Sequence, residues 1–364
     1  GLEARVGELE ATQFSTTTVL KGQADFFIGG IENDVETAGT AGDGEAVVMQ
    51  YRYRLNMNTS FTGKDLLYTR LQGANGGGWT EAGDTHLSDS GATADALKVD
   101  KIWYTFPVGD FKFTIGPRIE NYYMVETPTR YKPVLKAFKL GGYGSLMGAS
   151  TGTGAGIQWR QNVGRGEPAF NFAANYTSSG GKDSTKGVFG DDTQTSFLSQ
   201  LGYGTRKAWI GASYARKNTD GSSVIAGQSN DGTVSTSMDV WGLRGFYVPD
   251  SEVFPTVSAG INWGNTDGTS TGDTTETFGY MVGLNWDDVL VEGNKAGLAY
   301  GSIGSYITEK KGQSVDADNN ALELWYQYQV TDNISVKPAV FWTNNYASDA
   351  DDTFGALVQT TFKF

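Results

Sequence analysis

Apolar and polar residues alternate along most of this chain, with a period of two residues that begins near Val19 and continues to Phe364. The segment 47–60 shows the pattern clearly, because one face is apolar while the other carries Arg52, Arg54, Asn56 and Asn58. Successive side chains of a β-strand point to opposite sides of its sheet, so this period predicts strands rather than helices. Each predicted strand therefore has one apolar face and one face that needs water.

About sixteen segments of this kind follow one another, and the lengths of their connections alternate. Short links such as 62–64 and 204–206 alternate with long polar ones such as 74–96, 178–193 and 304–319. This alternation is typical of an up-and-down antiparallel meander. A soluble β-sandwich would bury both inner faces, where a row of arginine and asparagine side chains would be costly. We therefore predict an all-β fold, a transmembrane antiparallel up-and-down β-barrel of about 16 strands over residues 19–364.

Both chain ends are expected at the same rim of the barrel, because an even number of strands returns the chain to the side of the short turns. In outer-membrane barrels that rim faces the periplasm. Ahead of the first strand, residues 1–18 change period: Leu2, Val6 and Leu9 recur at spacings of four and three, as in a heptad seam. These residues predict either a short N-terminal helical stub, the end of a periplasmic coiled coil, or a frayed amphipathic terminus.

Composition is consistent with a membrane barrel and excludes several other classes. The chain has no run of about 18 apolar residues, the length that a transmembrane helix needs, and its mean hydropathy is -0.35. Barrel strands need only about 9–11 residues with every second one apolar, so a negative mean is expected. The net charge of -13 argues against nucleic acid as a partner, and the absence of cysteine excludes a thiolate metal site.

No catalytic constellation can be assembled from the sequence. The single histidine, His86, lies in a long loop among glycine, aspartate and threonine and is expected to be solvated. One histidine in such a place supplies neither a Ser-His-Asp triad nor a multi-histidine metal site. We expect no enzymatic activity, no catalytic residue, no bound metal and no cofactor.

The segment 120–153 differs from the other long connections, because it holds Pro128 and Pro133 and is basic where they are acidic. We expect it to fold into the barrel as a constriction loop; the alternative is a surface loop whose positive sign is accidental. Its cations, with arginines on the polar strand faces, are the predicted pore-lining residues: Arg52, Arg54, Arg70, Arg118, Arg130, Lys132, Lys136 and Lys139.

Two other long connections carry the opposite charge. Residues 31–46 and 74–96 contain aspartate and glutamate but no lysine or arginine. An acidic extracellular vestibule above a basic constriction is therefore the expected arrangement. Fixed charges in a narrow passage of low dielectric constant favour permeants of the opposite sign, so small anions should pass more easily than cations of equal size.

Three stretches of the sequence resemble the cyanobacterial major outer-membrane porins. They are Leu9–Gly22, which reads LEATQFSTTTVLKG, then Phe113–Ile119, which reads FTIGPRI, and the terminal TFKF. The resemblance covers nearly the whole chain. It implies a homotrimer in the lipid bilayer of the outer membrane, passive permeation of small inorganic ions, and distant kinship with carbohydrate-selective porins. It also implies a C-terminal assembly signal at Phe362 and Phe364.

Two further features of the resembling family fit this chain less well. The family has an amino-terminal surface-layer-homology domain that binds peptidoglycan-linked polymer. That anchoring domain is missing here, so we expect any peptidoglycan contact to belong to a longer precursor. Some family members are associated with iron uptake, but a basic constriction repels free iron cations. Iron is therefore expected as a permeant at most, and not as the selected ion.

The function predicted from these features is a passive outer-membrane porin for small hydrophilic solutes, chiefly inorganic ions. A carbohydrate-selective porin is the first alternative, because Trp103 and Trp325 on polar strand faces could place aromatic rings along the solute path. Competition of glucose with the ion current would distinguish it. A structural barrel that tethers the envelope is the second alternative, and a complete absence of conductance would favour it.

Overall fold

The computed structural model describes residues 17–33, 46–148, 151–190, 193–218, 237–251, 253–268, 271–313, 315, 319–345 and 352–364. The strands in these ranges are β1 Thr18–Asn33, β2 Val48–Thr59, β3 Leu66–Ala74, β4 Lys98–Val108, β5 Phe111–Glu120, β6 Thr151–Arg160, β7 Ala169–Ser178, β8 Thr195–Gly204, β9 Ala208–Asn218, β10 Ser237–Tyr247, β11 Thr256–Thr266, β12 Thr274–Asp287, β13 Lys295–Ser302, β14 Tyr306–Lys310, β15 Asn319–Thr331, β16 Ile334–Asn345 and β17 Thr353–Lys363.

Helical structure in these ranges is limited to short 3-10 helices at Gly78–Glu81, Asn121–Met124 and Lys136–Gly141. No helix in the described ranges is long and apolar enough to cross a membrane. The helical stub predicted before Val19 falls almost entirely in residues 1–16, which lie outside the described residues, and β1 already begins at Thr18.

The strands close into one antiparallel barrel. β1 pairs with β2 along one edge and with β17 along the other, so the first and last strands are joined. β12 pairs with β13 along one half of its length and with β14 along the other half, so β13 and β14 together occupy one position in the wall. The described strands therefore fill sixteen positions, which confirms the predicted sixteen-stranded barrel.

The break between β13 and β14 is where the strand prediction differs from the structure. A loop was predicted from residue 304 to 319, but Tyr306–Lys310 continues along β12 after Gly304. Gly304 has a φ of 68°, a left-handed conformation that glycine adopts at little cost and that interrupts regular strand geometry. The sequence pattern did not predict the short strand Tyr306–Lys310, because residues typical of turns stand on both sides of it.

The two faces of each strand separate the outer surface of the barrel from its interior. Large apolar side chains on the outer surface, such as Leu201, Ile210 and Val340, are 54%, 60% and 51% exposed. Polar side chains on the opposite face are buried, as with Gln200 and Ser258. An apolar outer belt around a polar interior is the arrangement of barrels that span lipid bilayers.

Residues 121–148, called the inner segment below, occupy part of the barrel interior. Their hydrogen bonds reach strands far apart around the wall, through Asn175 of β7, Gln200 of β8 and Ser258 of β11. The apolar side chains of the inner segment pack in two clusters. Leu135 and its neighbours pack against β12–β17, and Leu146 and its neighbours pack against β7–β10. These contacts place the segment inside the ring of strands.

Candidate functional site

The inner segment and the wall from β2 to β7 line a half-open cavity of about 450 Å³, called the central cavity below. Four cationic side chains come from the wall and are called the wall cations: Arg52, Arg54, Arg70 and Lys101. Two come from the inner segment and are called the lysine pair: Lys136 and Lys139. The inner segment also contributes three tyrosines, Tyr122, Tyr123 and Tyr143, called the tyrosine cluster. Hydroxyl and amide side chains include Gln72, Ser88, Ser90, Thr151, Thr177, Ser179 and Gln194.

Two of the wall cations, Arg52 and Arg54 of β2, share two carboxylates. Arg52 Nη2 lies 3.1 Å from Asp25 Oδ2 and 2.6 Å from Asp89 Oδ1, while Arg54 Nη2 lies 3.8 Å and 4.0 Å from the same atoms. Burial opposes ionisation of Asp89, but Arg52 and Arg54 outweigh it and hold the pKa of Asp89 well below its usual range. These two arginine charges are therefore balanced locally.

The other two wall cations, Arg70 of β3 and Lys101 of β4, are balanced in the same way. Arg70 Nη1 and Lys101 Nζ lie 3.8 Å and 3.4 Å from Asp100 Oδ2. Lys101 also forms an ion pair with Glu120 at the end of β5. The net charge of all four wall cations with these four carboxylates is thus close to zero.

The lysine pair, Lys136 and Lys139, forms no ion pair within the described ranges. Lys136 Nζ lies 5.0 Å from the ring centre of Tyr143, and Lys139 Nζ lies 5.3 Å from that of Tyr122. Cation–π contacts attract an ammonium group but do not cancel its charge. The central cavity therefore has an excess of positive charge that comes from the lysine pair.

Burial lowers the pKa of both residues of the lysine pair. It lowers the pKa of Lys136, although Glu81 and Glu120 act in the opposite direction. Burial lowers the pKa of Lys139 to about 8, although Asp89 and Glu120 oppose that shift. Lys139 is thus mostly charged at pH 7 and mostly neutral at pH 9.

The tyrosine cluster lies between the lysine pair and two of the wall cations. The ring centre of Tyr122 lies 5.4 Å from that of Tyr123 and 6.5 Å from that of Tyr143. Arg70 Cζ and Lys101 Nζ each lie 5.6 Å from the ring centre of Tyr123. Tyr123 is 40% exposed. Part of its ring is therefore accessible to a solute.

His86 lies at the edge of the central cavity, where its side chain is 24% exposed, rather than in an open surface loop. The connection that carries it folds onto the inner segment, where Lys136 N donates to His86 O at 2.8 Å. Burial, with the nearby lysine pair, lowers the pKa of His86 to about 3. The imidazole is therefore neutral at physiological pH.

Glu323 of β15 holds the middle of the inner segment. Its carboxylate accepts hydrogen bonds from Leu135 N at 2.6 Å, Val134 N at 3.0 Å and Tyr131 Oη at 2.8 Å. Trp325 Nε1 in turn donates to Tyr131 Oη at 2.9 Å. Glu323 is fully buried, and all these partners of the carboxylate are donors, as an ionised carboxylate requires.

Two cations of the wall hold the last third of the inner segment. Arg244 of β10 donates from Nη2 to Gly142 O at 2.7 Å and from Nε to Gly141 O at 3.2 Å. Lys217 of β9 donates to the carbonyl of Gly148. Sequence reasoning missed these residues and Glu323, because a single charge on a polar strand face does not reveal its distant partner.

Five of the eight predicted pore-lining residues line the central cavity: Arg52, Arg54, Arg70, Lys136 and Lys139. Arg118 does not, because β5 contains an extra residue between Gly116 and Ile119 that changes which side the side chains face. Arg118 is exposed, and its Nε donates to Asp100 O at 2.6 Å. A bulge of this kind cannot be recognised from alternation alone.

Arg130 and Lys132 also lie outside the lining of the cavity. Arg130 is exposed, its guanidinium lies 4.4 Å from the ring centre of Phe246, and Nη2 donates to Arg206 O at 3.0 Å in the short turn between β8 and β9. Lys132 is exposed as well. Both residues lie between the two parts of the inner segment that line the cavity, 122–123 and 136–143.

Neither predicted tryptophan presents an open ring inside the barrel. Trp103 is 6% exposed, with its ring centre 4.6 Å from that of Tyr68, and Trp325 is 3% exposed. The predicted acidic vestibule is also only partly described, since residues 34–45 lie outside the described ranges. The described Asp89 lies beside the wall arginines rather than above them.

The last residues of the chain complete the closure of the barrel. Phe364 N donates to Gly22 O at 3.1 Å, and the Phe364 ring centre lies 6.0 Å from that of Tyr53. The Phe362 ring meets Phe26 edge-on at 5.3 Å. Their role as an assembly signal stays a prediction.

Comparison with known proteins agrees with this architecture. A family model described as carbohydrate-selective porin, OprB family, matches residues 1–364. An uncharacterized protein of Nostoc sp. is 30% identical over 413 residues, covering 100% of this chain and 68% of that protein. Pseudomonas putida OprB at high pH has a TM-score of 0.64 at 11% identity, covering 99% of this chain and 96% of that one. In-vitro folded OmpT of Vibrio cholerae, in its trimer form, has a TM-score of 0.59 at 12% identity, covering 96% and 99%. These structural likenesses show the fold alone.

Proposed function

Since this chain belongs to the carbohydrate-selective porin, OprB family, we propose that it forms a passive outer-membrane channel for small hydrophilic solutes, chiefly inorganic ions, with anions favoured. The observation that carries the proposal is the central cavity, a polar space inside the barrel with an excess of positive charge. The inner segment acts as the constriction loop. Passive permeation involves no chemical reaction and requires only a continuous water-filled path through the barrel.

The proposed selectivity follows from the uneven balance of charge. A single charge about 4 Å from a permeant is worth about 1 kcal/mol in water and about 4 kcal/mol at an effective dielectric constant of about 20. Even the lower figure changes a permeability ratio about fivefold. Because the wall cations are balanced by carboxylates, the lysine pair supplies this bias.

Carbohydrate passage is the second candidate, favoured by the family description and by Tyr123. The partly accessible ring of Tyr123 lies beside Arg70 and Lys101, and aromatic faces beside polar groups suit the apolar faces and hydroxyls of sugars. Glucose that reduces the ion current at millimolar concentration would support this candidate.

We further propose that the channel is a homotrimer in the outer membrane with both chain ends toward the periplasm. The pairing of Gln23 with Lys363 brings the first and last strands together at the rim of the short turns, which supports a common side for both ends. The trimer form of Vibrio cholerae OmpT supports the proposed assembly by analogy of fold. The origin in a cyanobacterium rests on the sequence resemblance.

The proposed function is tested by the zero-current potential of the purified protein in a planar bilayer under a gradient of potassium chloride. We expect stable channels and a potential of the sign that chloride preference produces. Potassium preference would contradict the assignment of charge. A protein that inserts into the bilayer without conducting would contradict the channel itself.

A further inference from the structure

We propose that the central cavity binds a small dianionic oxyanion of the sulfate and phosphate class, between the lysine pair and the two wall cations Arg70 and Lys101. The inference rests on the proposed function, because the cavity must lie on the permeation path. It goes further by naming the solute that the site prefers. Four observations support it: the charge that remains unbalanced, the convergence of the cations, the donors of the lining, and the size of the cavity.

The unbalanced charge of the site matches a dianion. Asp25 and Asp89 face the first two wall cations, and Asp100 and Glu120 face the other two. The lysine pair forms no ion pair in the described part of the chain, although the charges of Glu81 and Glu120 act on Lys136 from beyond ion-pair distance. One bound dianion neutralises both ammonium groups, whereas one monoanion leaves a net positive charge in a partly buried site.

The cations converge on the tyrosine cluster. Each ammonium of the lysine pair lies within 5.3 Å of a ring centre of the cluster, and the groups of Arg70 and Lys101 approach the cluster from the wall at 5.6 Å. A solute beside Tyr122 and Tyr123 therefore meets positive charge from two sides.

Cationic donors outnumber obligate acceptors in the lining, because its two carboxylates, Asp100 and Glu120, are already paired with Arg70 and Lys101. Lysine and arginine side chains donate and cannot accept, and the hydroxyl groups of residues such as Ser88, Ser90 and Thr177 can donate as well. A fully deprotonated oxyanion only accepts, so it can use every one of these groups. The hydroxyls of a neutral sugar must also donate, and fewer groups here accept.

The cavity is large enough for two sources of the same oxyanion group. At about 450 Å³ it can hold a free inorganic ion with water, or a monosaccharide that carries a phosphate. In the second case the accessible ring of Tyr123 would lie beside the sugar. The shared chemistry is the oxyanion, and the experiment below separates the sources.

The test is the block of chloride current by sulfate in planar bilayers, at pH 7 and constant ionic strength. Methanesulfonate is the matched probe, because it has a similar size and one charge fewer. We expect sulfate to reach half-block at a concentration at least about tenfold lower than methanesulfonate, because both ammonium groups attract it. Equal half-block concentrations would overturn the inference.

Paired variants locate the site. Lys136→Gln with Lys139→Gln should remove the preference for sulfate, whereas Arg118→Gln with Lys132→Gln removes the same charge outside the cavity and should preserve it. Conductance in each variant shows that the barrel has formed. Should the first variant fail to conduct, Lys139→Arg keeps the charge and is expected to retain the preference. Loss of the preference in both paired variants would overturn the site.

The source of the oxyanion is identified with glucose 6-phosphate and glucose in the same assay. Stronger block by glucose 6-phosphate than by sulfate, lost in Tyr123→Leu, supports the inference with a phosphorylated sugar as the occupant, and equal block supports it with a free ion. Block by glucose that equals block by glucose 6-phosphate overturns it. A chloride-selective channel with no preference for sulfate refutes this inference alone, while a silent protein refutes the proposed function.

Discussion

Replacing Glu323 by glutamine should loosen the inner segment without opening the barrel wall. The carboxylate accepts hydrogen bonds from two backbone N–H groups and from Tyr131, all inside the barrel and away from water. Glutamine has one acceptor oxygen and presents an NH₂ group to the remaining donors. Val134 N and Leu135 N can share one oxygen, but Tyr131 Oη donates to the other, so at least one of these three donors loses its partner.

The size of the effect follows from these bonds. A hydrogen bond to a charged group is worth about 1.5–3 kcal/mol, and an unpaired buried donor costs about 1–3 kcal/mol. Since two or more bonds to Glu323 are weakened, we expect docking of the inner segment to lose about 3–5 kcal/mol. A loss of this size lets the middle of the segment, around Val134 and Leu135, detach for part of the time. Gln200 and Ser258 still hold the residues before it, and Arg244 and Lys217 hold the last third.

The measurement is single-channel conductance with its open-channel noise. Glu323→Gln should give a larger and noisier current than the wild type, with the folded barrel still resistant to detergent on an unheated gel. Glu292→Gln, in an exposed turn, removes the same charge and serves as the control. Identical current and noise in Glu323→Gln and the wild type would refute the anchoring role of Glu323.

Three further outcomes follow from the same geometry. Arg52→Ala leaves the buried Asp25 without its nearest cation, so the zero-current potential should shift toward cation preference, and an unchanged potential would contradict the ion pairing. A lysine is charged below its pKa, and the pKa of Lys139 is about 8, so anion preference should fall as the pH rises from 7 to 9. Lys139→Arg should weaken this dependence, and an identical pH profile in this variant would contradict the role of Lys139. Phe364→Ala removes the contact with Tyr53 and should lower the yield of folded barrel on unheated gels at unchanged conductance per channel; unchanged yield would exclude an assembly role.

The barrel could be predicted because the information it needs is local. Leu201 faces outward and Gln200 inward in accordance with a period of two residues, which any strand in a two-sided environment must show. The same rule failed at Arg118, because one extra residue in β5 changes the side that the chain presents. It also failed after Gly304, where a strand resumes beyond a turn.

The candidate site was predicted only in part because its balance of charge depends on distant contacts. Alternation identified Arg52 as facing the interior, but its partner Asp89 is 37 positions away and reaches it through the fold of a connection. Glu323 meets Leu135 across 188 positions. No local pattern encodes such pairs, so sequence reasoning overestimated the arginine charge and missed the anchors. Lys101, in contrast, lies two positions from Trp103 on the same strand face and could have been found.

Accessibility of one introduced thiol tests most directly whether the central cavity is the permeation path. The chain has no cysteine, so Lys139→Cys in the cavity and Leu201→Cys on the outer surface each carry a single reactive group. Adding a charged, water-soluble thiol reagent to an open Lys139→Cys channel should change its conductance in steps, while a Leu201→Cys channel should keep its current. Unchanged conductance in Lys139→Cys channels whose labelling is verified by mass spectrometry would show that ions cross elsewhere.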